Sequence, residues 1–178
     1  MNRSVQQLLD QTAKRGSWYG GGSVAALACA LSAALLEKLV SPTAPRRATK
    51  LASFRRRSPA AGMIRATRTQ ALRLVDEDAR TFAHVIKAMY QQDKIATRKA
   101  LKQAIEVPLR VHVSAHQILQ AAERAKRDIP KRYHSDLTCV IALAKASREA
   151  ARAFVETNLA WLGDKTYTRQ VRRKLARA

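Results

Sequence analysis

The chain has 178 residues, of which 47% are hydrophobic, and its formal net charge at pH 7 is +21. This hydrophobic fraction supports one packed domain and excludes a wholly disordered chain. Aromatic residues make up only 5%, and the 6 glycines and 5 prolines are too few for a collagenous or low-complexity protein and disfavour a β-sandwich. The excess of positive charge indicates that the protein attracts anions.

The apolar pattern predicts helices throughout the chain and no strand. A first helix begins after Ser4, a good N-cap residue, and ends by Gly16. Residues 24–40 form a helix that is apolar nearly all round, which is typical of a buried helix. A kink or a short break is expected at Pro108, and residues from 166 onward would add a short basic helix. The remaining predicted helices are 64–90, 95–127 and 136–162. We expect an all-α bundle of five to six helices, two of them long.

Most of the excess positive charge lies in two segments of the chain. Residues 41–75 hold nine basic side chains and residues 165–178 hold six, and neither segment has an acidic residue. The sequence therefore predicts a helical domain over residues 1–164 with a basic segment at 41–62, followed by a basic C-terminal tail at 165–178. The candidate polyanion-binding residues are Arg46, Arg47, Arg55, Arg56 and Arg57.

The two cysteines, Cys29 and Cys139, lie in Ala-rich apolar stretches without a metal-type partner at close spacing. We expect two buried thiols in a reduced cytosol. The N-terminus has no apolar signal core, and the longest apolar run, residues 24–36, is shorter than the about 20 residues that cross a bilayer. The expectation is a cytoplasmic protein with no membrane partner.

A run of three glycines and a serine, Gly20-Gly21-Gly22-Ser23, precedes the buried helix. Glycines let a ligand approach the backbone closely, Ser23 can cap the helix, and the free N–H groups at a helix start can hold an anion. The alternative is an ordinary glycine-rich turn. It is not a P-loop, because no Gly-Lys-Ser/Thr follows, and no strand precedes it as in a dinucleotide-binding fingerprint.

Two acidic motifs are candidates for proton transfer. The first is Asp76-Glu77-Asp78, although an exposed charged face, with Asp76 and Arg80 four residues apart, is the favoured interpretation from these residues alone. The second is Asp136, which follows His134 and Ser135 at the start of the last long helix. There a carboxylate is either a helix cap or a general acid–base group.

His112 and His116 are spaced four residues apart and so share one face of a helix. A metal pair uses this spacing, but no acidic residue stands between them in the HExxH manner and no third ligand is evident. Surface or interface histidines are therefore the favoured interpretation, and we expect no metal site.

Five short motifs, in the same order along nearly the whole chain, resemble those of the formiminotetrahydrofolate cyclodeaminase and methenyltetrahydrofolate cyclohydrolase family. They are the runs YGGGSVAALA from Tyr19 to Ala28, VDEDARTF from Val75 to Phe82, Val107-Pro108-Leu109, Ser135-Asp136-Leu137, and Asn158-Leu159 with Asp164 beyond it. The chain departs from the family pattern at Tyr19, where the family usually has proline, at Leu39-Val40-Ser41, and at residues 130–134.

The resemblance implies an all-helical, dimer-forming domain whose glycine-rich loop lines a folate site. The substrate would be a tetrahydrofolate derivative, with no permanently bound cofactor. The reaction would lie at the one-carbon bridge between N5 and N10, where either N10 displaces ammonia from a formimino carbon or water opens a methenyl ring. Both routes pass through a tetrahedral carbon and require proton transfer.

The resemblance also implies roles for single residues. Asp136 is the first choice for acid–base catalysis, and Asp76 and Asp78 are the second choices. The implied substrate-binding residues are Gly20, Gly21, Gly22, Ser23, Ser135 and Asn158. We expect the site where the loop at residues 20–23 meets the helix start at Asp136, within one chain or across a dimer interface.

A second hypothesis is a catalytically inactive helical dimer that binds nucleic acid or another polyanion through its Arg-rich segments. No segment resembles a base-reading motif, so such binding would depend on the phosphate backbone and fall steeply with salt. A third interpretation is that the charge serves only to keep the protein solvated. The sequence leaves these alternatives open.

Overall fold

The computed structural model describes residues 4–41 and 59–178. Over these ranges it contains six α-helices, one short 3-10 helix at Lys131–Tyr133, and no strand. The α-helices are α1 (Val5–Ala13), α2 (Gly21–Val40), α3 (Pro59–Tyr90), α4 (Lys94–Ala125), α5 (His134–Leu162) and α6 (Lys165–Arg177). The all-α prediction is confirmed, but three helices rather than two are long. The five candidate polyanion-binding arginines between positions 46 and 57 lie outside the described residues.

Helices α2, α3, α4 and α5 form an antiparallel four-helix bundle in which α5 packs back against α2. Polar contacts fix the register of each pair. Between α2 and α5, the Ser32 hydroxyl donates to the carbonyl of Val140 at 2.8 Å, and the Ser147 hydroxyl donates to the carbonyl of Ala25 at 2.8 Å. The Asn158 amide of α5 donates to the carbonyl of Ala104 in α4. These bonds satisfy polar groups that burial would otherwise leave unpaired.

Helix α2 packs closely against three neighbouring helices because most of its residues are small. Ala26, Cys29, Ala33 and Leu36 are fully buried along its inner side. By length and composition alone α2 would be able to cross a membrane. Its contacts with α3, α4 and α5 are instead those of a core helix.

Helix α4 runs without interruption through Pro108, so of the expected kink or short break at that residue the break does not occur. A proline inside a helix removes one backbone hydrogen bond. Pro108 and its neighbours Val107 and Leu109 are buried, and packing on the adjacent helices holds the helix together across the missing bond.

The prediction of two buried thiols is confirmed for Cys29 and wrong for Cys139, which is exposed. Burial raises the pKa of the Cys29 thiol to about 12, so this cysteine stays protonated. Cys139 lies on the side of α5 that faces away from the core. The apolar residues on both sides of it in the sequence do not show which way it faces.

The basic residues from 165 onward form α6, as the sequence predicted, and one side of this helix is apolar. Asp164 caps it by accepting a hydrogen bond from the backbone N–H of Tyr167 at 3.0 Å. Val171 and Leu175 are buried in the same cluster as Val85 and Leu101 of the bundle. The charged residues of α6 therefore lie at the surface of the bundle.

Candidate functional site

The glycine-rich run forms the first turn of α2 and not a loop before it. Gly20 is the N-cap, without a side-chain capping bond, and Gly21 and Gly22 are already helical. The prediction that Ser23 caps the helix is therefore wrong. Ser23 lies one turn inside α2, and its hydroxyl is 3.0 Å from the carbonyl oxygen of Val75 and 2.9 Å from Oδ2 of Asp78.

Two of the glycines are required by packing. A Cβ at Gly22 would overlap the carboxyl group of Asp78, with its Cγ at 2.7 Å. A Cβ at Gly21 would lie 2.5 Å from the ring of Phe154. Gly20 differs from both, since nothing lies within 4 Å of its Cβ position. Because Gly21 and Gly22 have no side chain, an aromatic ring and a carboxyl group can pack directly against the start of α2. Gly20 leaves open space beside them.

The pKa of the Asp78 carboxyl group is raised above its ordinary value. Burial is the main cause of the rise, and hydrogen bonds from the side chain and backbone of Ser23 oppose it. The Ser23 hydroxyl has one proton and lies within donor distance of two acceptors, the Val75 carbonyl oxygen and Oδ2 of Asp78. Ser23 therefore holds the Asp78 carboxyl group against the start of α2.

Tyr19 and Asp76 join the segment before α2 to α3. The Tyr19 hydroxyl donates to Oδ1 of Asp76 at 2.8 Å. Asp76 and Asp78, the second choices for proton transfer, therefore lie at the same end of α2 as the glycines. The structure thus brings the run from Val75 to Phe82 against the glycine-rich run from Tyr19 to Ala28.

Aromatic rings surround this end of the bundle, and sequence reasoning missed them. Trp18 and Phe82 meet edge to face with ring centroids 6.2 Å apart. Their side chains are 45% and 38% exposed, and Phe154 beside Gly21 is 37% exposed. With Tyr19, four of the nine aromatic residues of the chain lie here.

The structure places Asp136 far from this cluster within one chain. Asp136 lies in the first turn of α5, where the N-cap is Tyr133, so neither Ser135 nor Asp136 is the cap. The contacts of Ser32 with Val140 and of Ala25 with Ser147 set Asp136 beside Leu36, at the other end of α2. Fourteen residues separate Gly22 from Leu36, which is about 21 Å along a helix.

Asn158 lies about one turn beyond Phe154 on α5, and its amide is bonded to the Ala104 carbonyl at 2.8 Å. Its observed contact therefore ties α5 to α4. Ser135 is exposed at the start of α5, next to Asp136. These two predicted substrate-binding residues are not brought to the glycines by a single chain.

The two histidines of α4 make contacts with α5. Nδ1 of His112 is 3.1 Å from the carbonyl oxygen of Arg148, and the Arg148 guanidinium is 3.3 Å from Nδ1 of His116. Burial is the main cause that lowers the pKa of both imidazoles. Within residues 4–41 and 59–178, no cluster of three or more His, Cys, Asp or Glu side chains is placed to hold a metal ion.

The molecule is therefore an antiparallel helical bundle in which the half-buried Asp78 carboxyl group lies against a glycine-lined helix start. The family model of formiminotransferase-cyclodeaminase matches residues 4–177, and the chain belongs to that family. The family resemblance seen in the sequence is confirmed.

The fold is similar to that of a formiminotetrahydrofolate cyclodeaminase from Thermotoga maritima. The two structures agree with a TM-score of 0.87 over 99% of this chain and 88% of that chain, at 22% sequence identity. None of the curated proteins matches this sequence.

Proposed function

We propose that this protein is a folate one-carbon enzyme that acts on the N5–N10 bridge of tetrahydrofolate, by formimino cyclodeamination or by hydrolysis of the methenyl ring. The observation that carries the proposal is the Asp78 carboxyl group, which lies against the glycine start of α2, is held by Ser23 and has its pKa raised by burial. Membership of the formiminotransferase-cyclodeaminase family supports the substrate class.

Asp78 supplies the proton transfers that cyclodeamination needs. When N10 attacks the formimino carbon, the resulting tetrahedral carbon holds an amino group that must gain a proton to leave as ammonia. A protonated Asp78 donates that proton, and its carboxylate then takes the proton that N10 has to lose. The carboxyl group returns to its starting state, and the products are ammonia and the methenyl ring.

The surroundings of Asp78 suit a flat, polar-edged ring. Trp18, Phe82 and Phe154 offer half-exposed aromatic faces or edges on which a pteridine ring can pack. Gly20 leaves open space at the helix start, where the free N–H groups can donate to ring or carbonyl oxygens. Ser23 holds Asp78 in place and is a positioning residue in this proposal.

A second copy of the chain would bring Asp136 to this site. An apolar face runs along α2 and α5, with Val24 45% exposed, Leu31 53% exposed and Trp161 50% exposed. If two copies pack through this face with their α2 helices antiparallel, the start of one α2 lies beside the end of the other. Asp136 adjoins the end of α2, so each Asp136 would approach the glycines of the other copy.

The exposed apolar side chains support this homodimer, because a monomer rarely leaves an apolar face uncovered. We expect light scattering at micromolar concentration to give twice the chain mass. Leu31→Glu should give a folded monomer with low activity, since it places a charge in the interface. Ile95→Glu is the matched control, because Ile95 is 83% exposed on α4, outside this face. A wild-type monomer, or equal effects of both substitutions, would exclude this dimer.

The proposed function is tested by turnover of 5-formiminotetrahydrofolate and 5,10-methenyltetrahydrofolate with the purified full-length chain. Ammonia release reports the first reaction, and loss of methenyl absorbance reports the second. Turnover of one substrate and not the other would identify the activity. A folded wild-type protein that converts neither would exclude the enzyme and leave the inactive polyanion-binding dimer as the better hypothesis.

A further inference from the structure

A long trough runs along the outer side of the bundle, between α3 and α4. Four adjoining cavities of about 540, 270, 600 and 290 Å³ form it. Successive cavities share lining residues: Gln70 joins the first two, Glu106 the next two and His84 the last two. Along α3 the lining extends from Gly62 to Gln91, which is about 44 Å of helix. Tyr167 and Lys174 of α6 border its middle part.

The trough is strongly cationic. Among the residues that the structure describes, eight Lys or Arg side chains and two acidic ones line it. Both acidic groups already have partners within the protein. Glu77 pairs with Arg110 at 2.7 Å, and Glu106 accepts from the Tyr167 hydroxyl at 3.0 Å and lies 3.7 Å from Lys174. Arg65 also pairs with Glu37, which does not line the trough, at 2.8 Å. The positive charge of the other cations is available to a ligand.

Three cations form a row along α3. Arg73, Arg80 and Lys87 are spaced seven residues apart, so they share one face of the helix and follow one another at about 10.5 Å. Lys99 lines the trough from α4. Arg73, Lys87 and Lys99 are exposed and have no ion pair or side-chain hydrogen bond with any residue that the structure describes. A row of more than 20 Å fits an extended polyanion better than one small anion.

We propose that this trough binds single-stranded nucleic acid through its phosphate backbone. A trough between two adjacent helices has room for one strand, whereas a duplex would touch only its rims. The aromatic ring in the trough, that of Tyr167, is covered by the ammonium of Lys102 at 5.0 Å. Binding therefore depends on phosphate contacts without base stacking and is independent of sequence. The surface is separate from the site at Asp78, since Arg80 lies about 200° further round the same helix.

The test compares two triple variants of the full-length chain that remove the same charge. Arg73→Gln/Lys87→Gln/Lys99→Gln removes three trough cations that have no ion pair or side-chain hydrogen bond with any residue that the structure describes. Its control, Lys126→Gln/Lys145→Gln/Arg152→Gln, removes three exposed cations of the same types that do not line the trough. Thermal melts establish that both variants are folded.

Fluorescence anisotropy with a labelled 20-nucleotide oligo(dT) measures binding from 50 to 200 mM salt. The trough variant should bind at least about 10-fold more weakly than wild type, with a salt slope reduced by about 2, because three phosphate contacts are lost. The control should change affinity less than about 3-fold. No binding by wild type at 50 mM salt, or equal weakening by both variants, would overturn the proposal. So would tighter binding of a duplex of the same length.

Turnover of the folate substrates by the trough variant is measured in parallel, as an independent readout. The trough proposal does not require that activity, so loss of nucleic-acid binding and absence of an enzyme are distinguishable results.

Discussion

The two ends of helix α2 each lie beside a carboxyl group, and the two environments shift its pKa in opposite directions. At the N-terminal end, Asp78 is half-buried beside Ser23, and burial raises its pKa. At the C-terminal end, Glu37 is paired with Arg65 at 2.8 Å and Arg68 at 2.7 Å. The hydrogen bond from Arg65 is the main cause that lowers the Glu37 pKa, and Arg68 adds to it.

The difference shows which of the two ends suits chemistry. A carboxylate held by two guanidinium groups keeps its charge and cannot exchange a proton near neutral pH. The Asp78 carboxyl group is bonded to the side chain and backbone of Ser23, and no cation contributes to its pKa shift, so it can take up and release a proton. The same helix therefore has a structural acid at one end and an acid suited to proton transfer at the other.

Removing the proton-transferring acid should give the largest effect. Asp78→Asn keeps the shape of the side chain, and an amide can still bond to the Ser23 hydroxyl, so the free energy of unfolding should change by less than about 1 kcal/mol. Turnover of the folate substrate should fall by about 10²-fold or more, since general acid–base groups contribute that much. Glu37→Gln is the matched control and should leave turnover within about 3-fold of wild type.

The pH dependence of stability sharpens this test. Because the pKa of Asp78 is raised in the folded state, the native protein takes up this proton at higher pH than the unfolded chain does. This group therefore stabilises the fold progressively as pH falls between its folded and its ordinary pKa. In Asp78→Asn that gain should be absent. A turnover near that of wild type, or an unchanged pH profile of stability, would show that Asp78 has only a packing role.

Crowding the N-terminal end should give the next largest effect. In Gly22→Ala the new methyl group meets the Asp78 carboxyl, which then loses either its position or its bond to Ser23. We expect unfolding free energy to fall by about 2 kcal/mol, within the range for overpacked sites, together with a loss of turnover. Chemical denaturation and the folate assay measure the two effects.

Gly20→Ser is the control for that substitution, since a side chain there meets open space and serine is a good N-cap. Its stability should match or exceed that of wild type. If the ligand occupies the space at Gly20, the KM for the folate should nevertheless rise. Equal stability of the Gly22→Ala and wild-type proteins would contradict the packing role of this glycine.

Most of the fold followed from the sequence because helical periodicity is a local property. The apolar stripes of α3, α4 and α5 and the cap at Ser4 predict these elements without reference to the rest of the chain. The break considered at Pro108 does not occur, because packing on other helices keeps α4 continuous and a local pattern cannot show that packing. The predicted start of α2 is three residues late because glycine is a poor helix former. Glycine is needed at position 22 because of the Asp78 carboxyl group, which is fifty-six positions away in the sequence.

The candidate site was only partly predictable for the same reason. The motif match names Asp76, Asp78 and the glycines, but which carboxyl groups meet the glycines depends on the antiparallel register of α2 against α3 and α5. That register places Asp78 at the glycines and Asp136 at the opposite end of α2. The aromatic residues Trp18 and Phe82 meet only in the folded chain.

The smallest effect is expected from the structural acid at the other end of α2. Glu37→Gln removes two ion pairs in which Arg65 is 64% exposed and Arg68 is 37% exposed, so the loss should be about 1 kcal/mol at pH 7. Because the pKa of Glu37 is lowered in the folded state, its stabilisation is present above the ordinary value of 4.5 and disappears as pH falls through the folded value. Urea denaturation of both proteins from pH 7 to pH 3 should therefore show two curves that converge at low pH, the opposite direction from Asp78. A difference that stays constant down to pH 3 would mean that Glu37 acts through packing rather than charge, and the contrast between the two ends of α2 would fail.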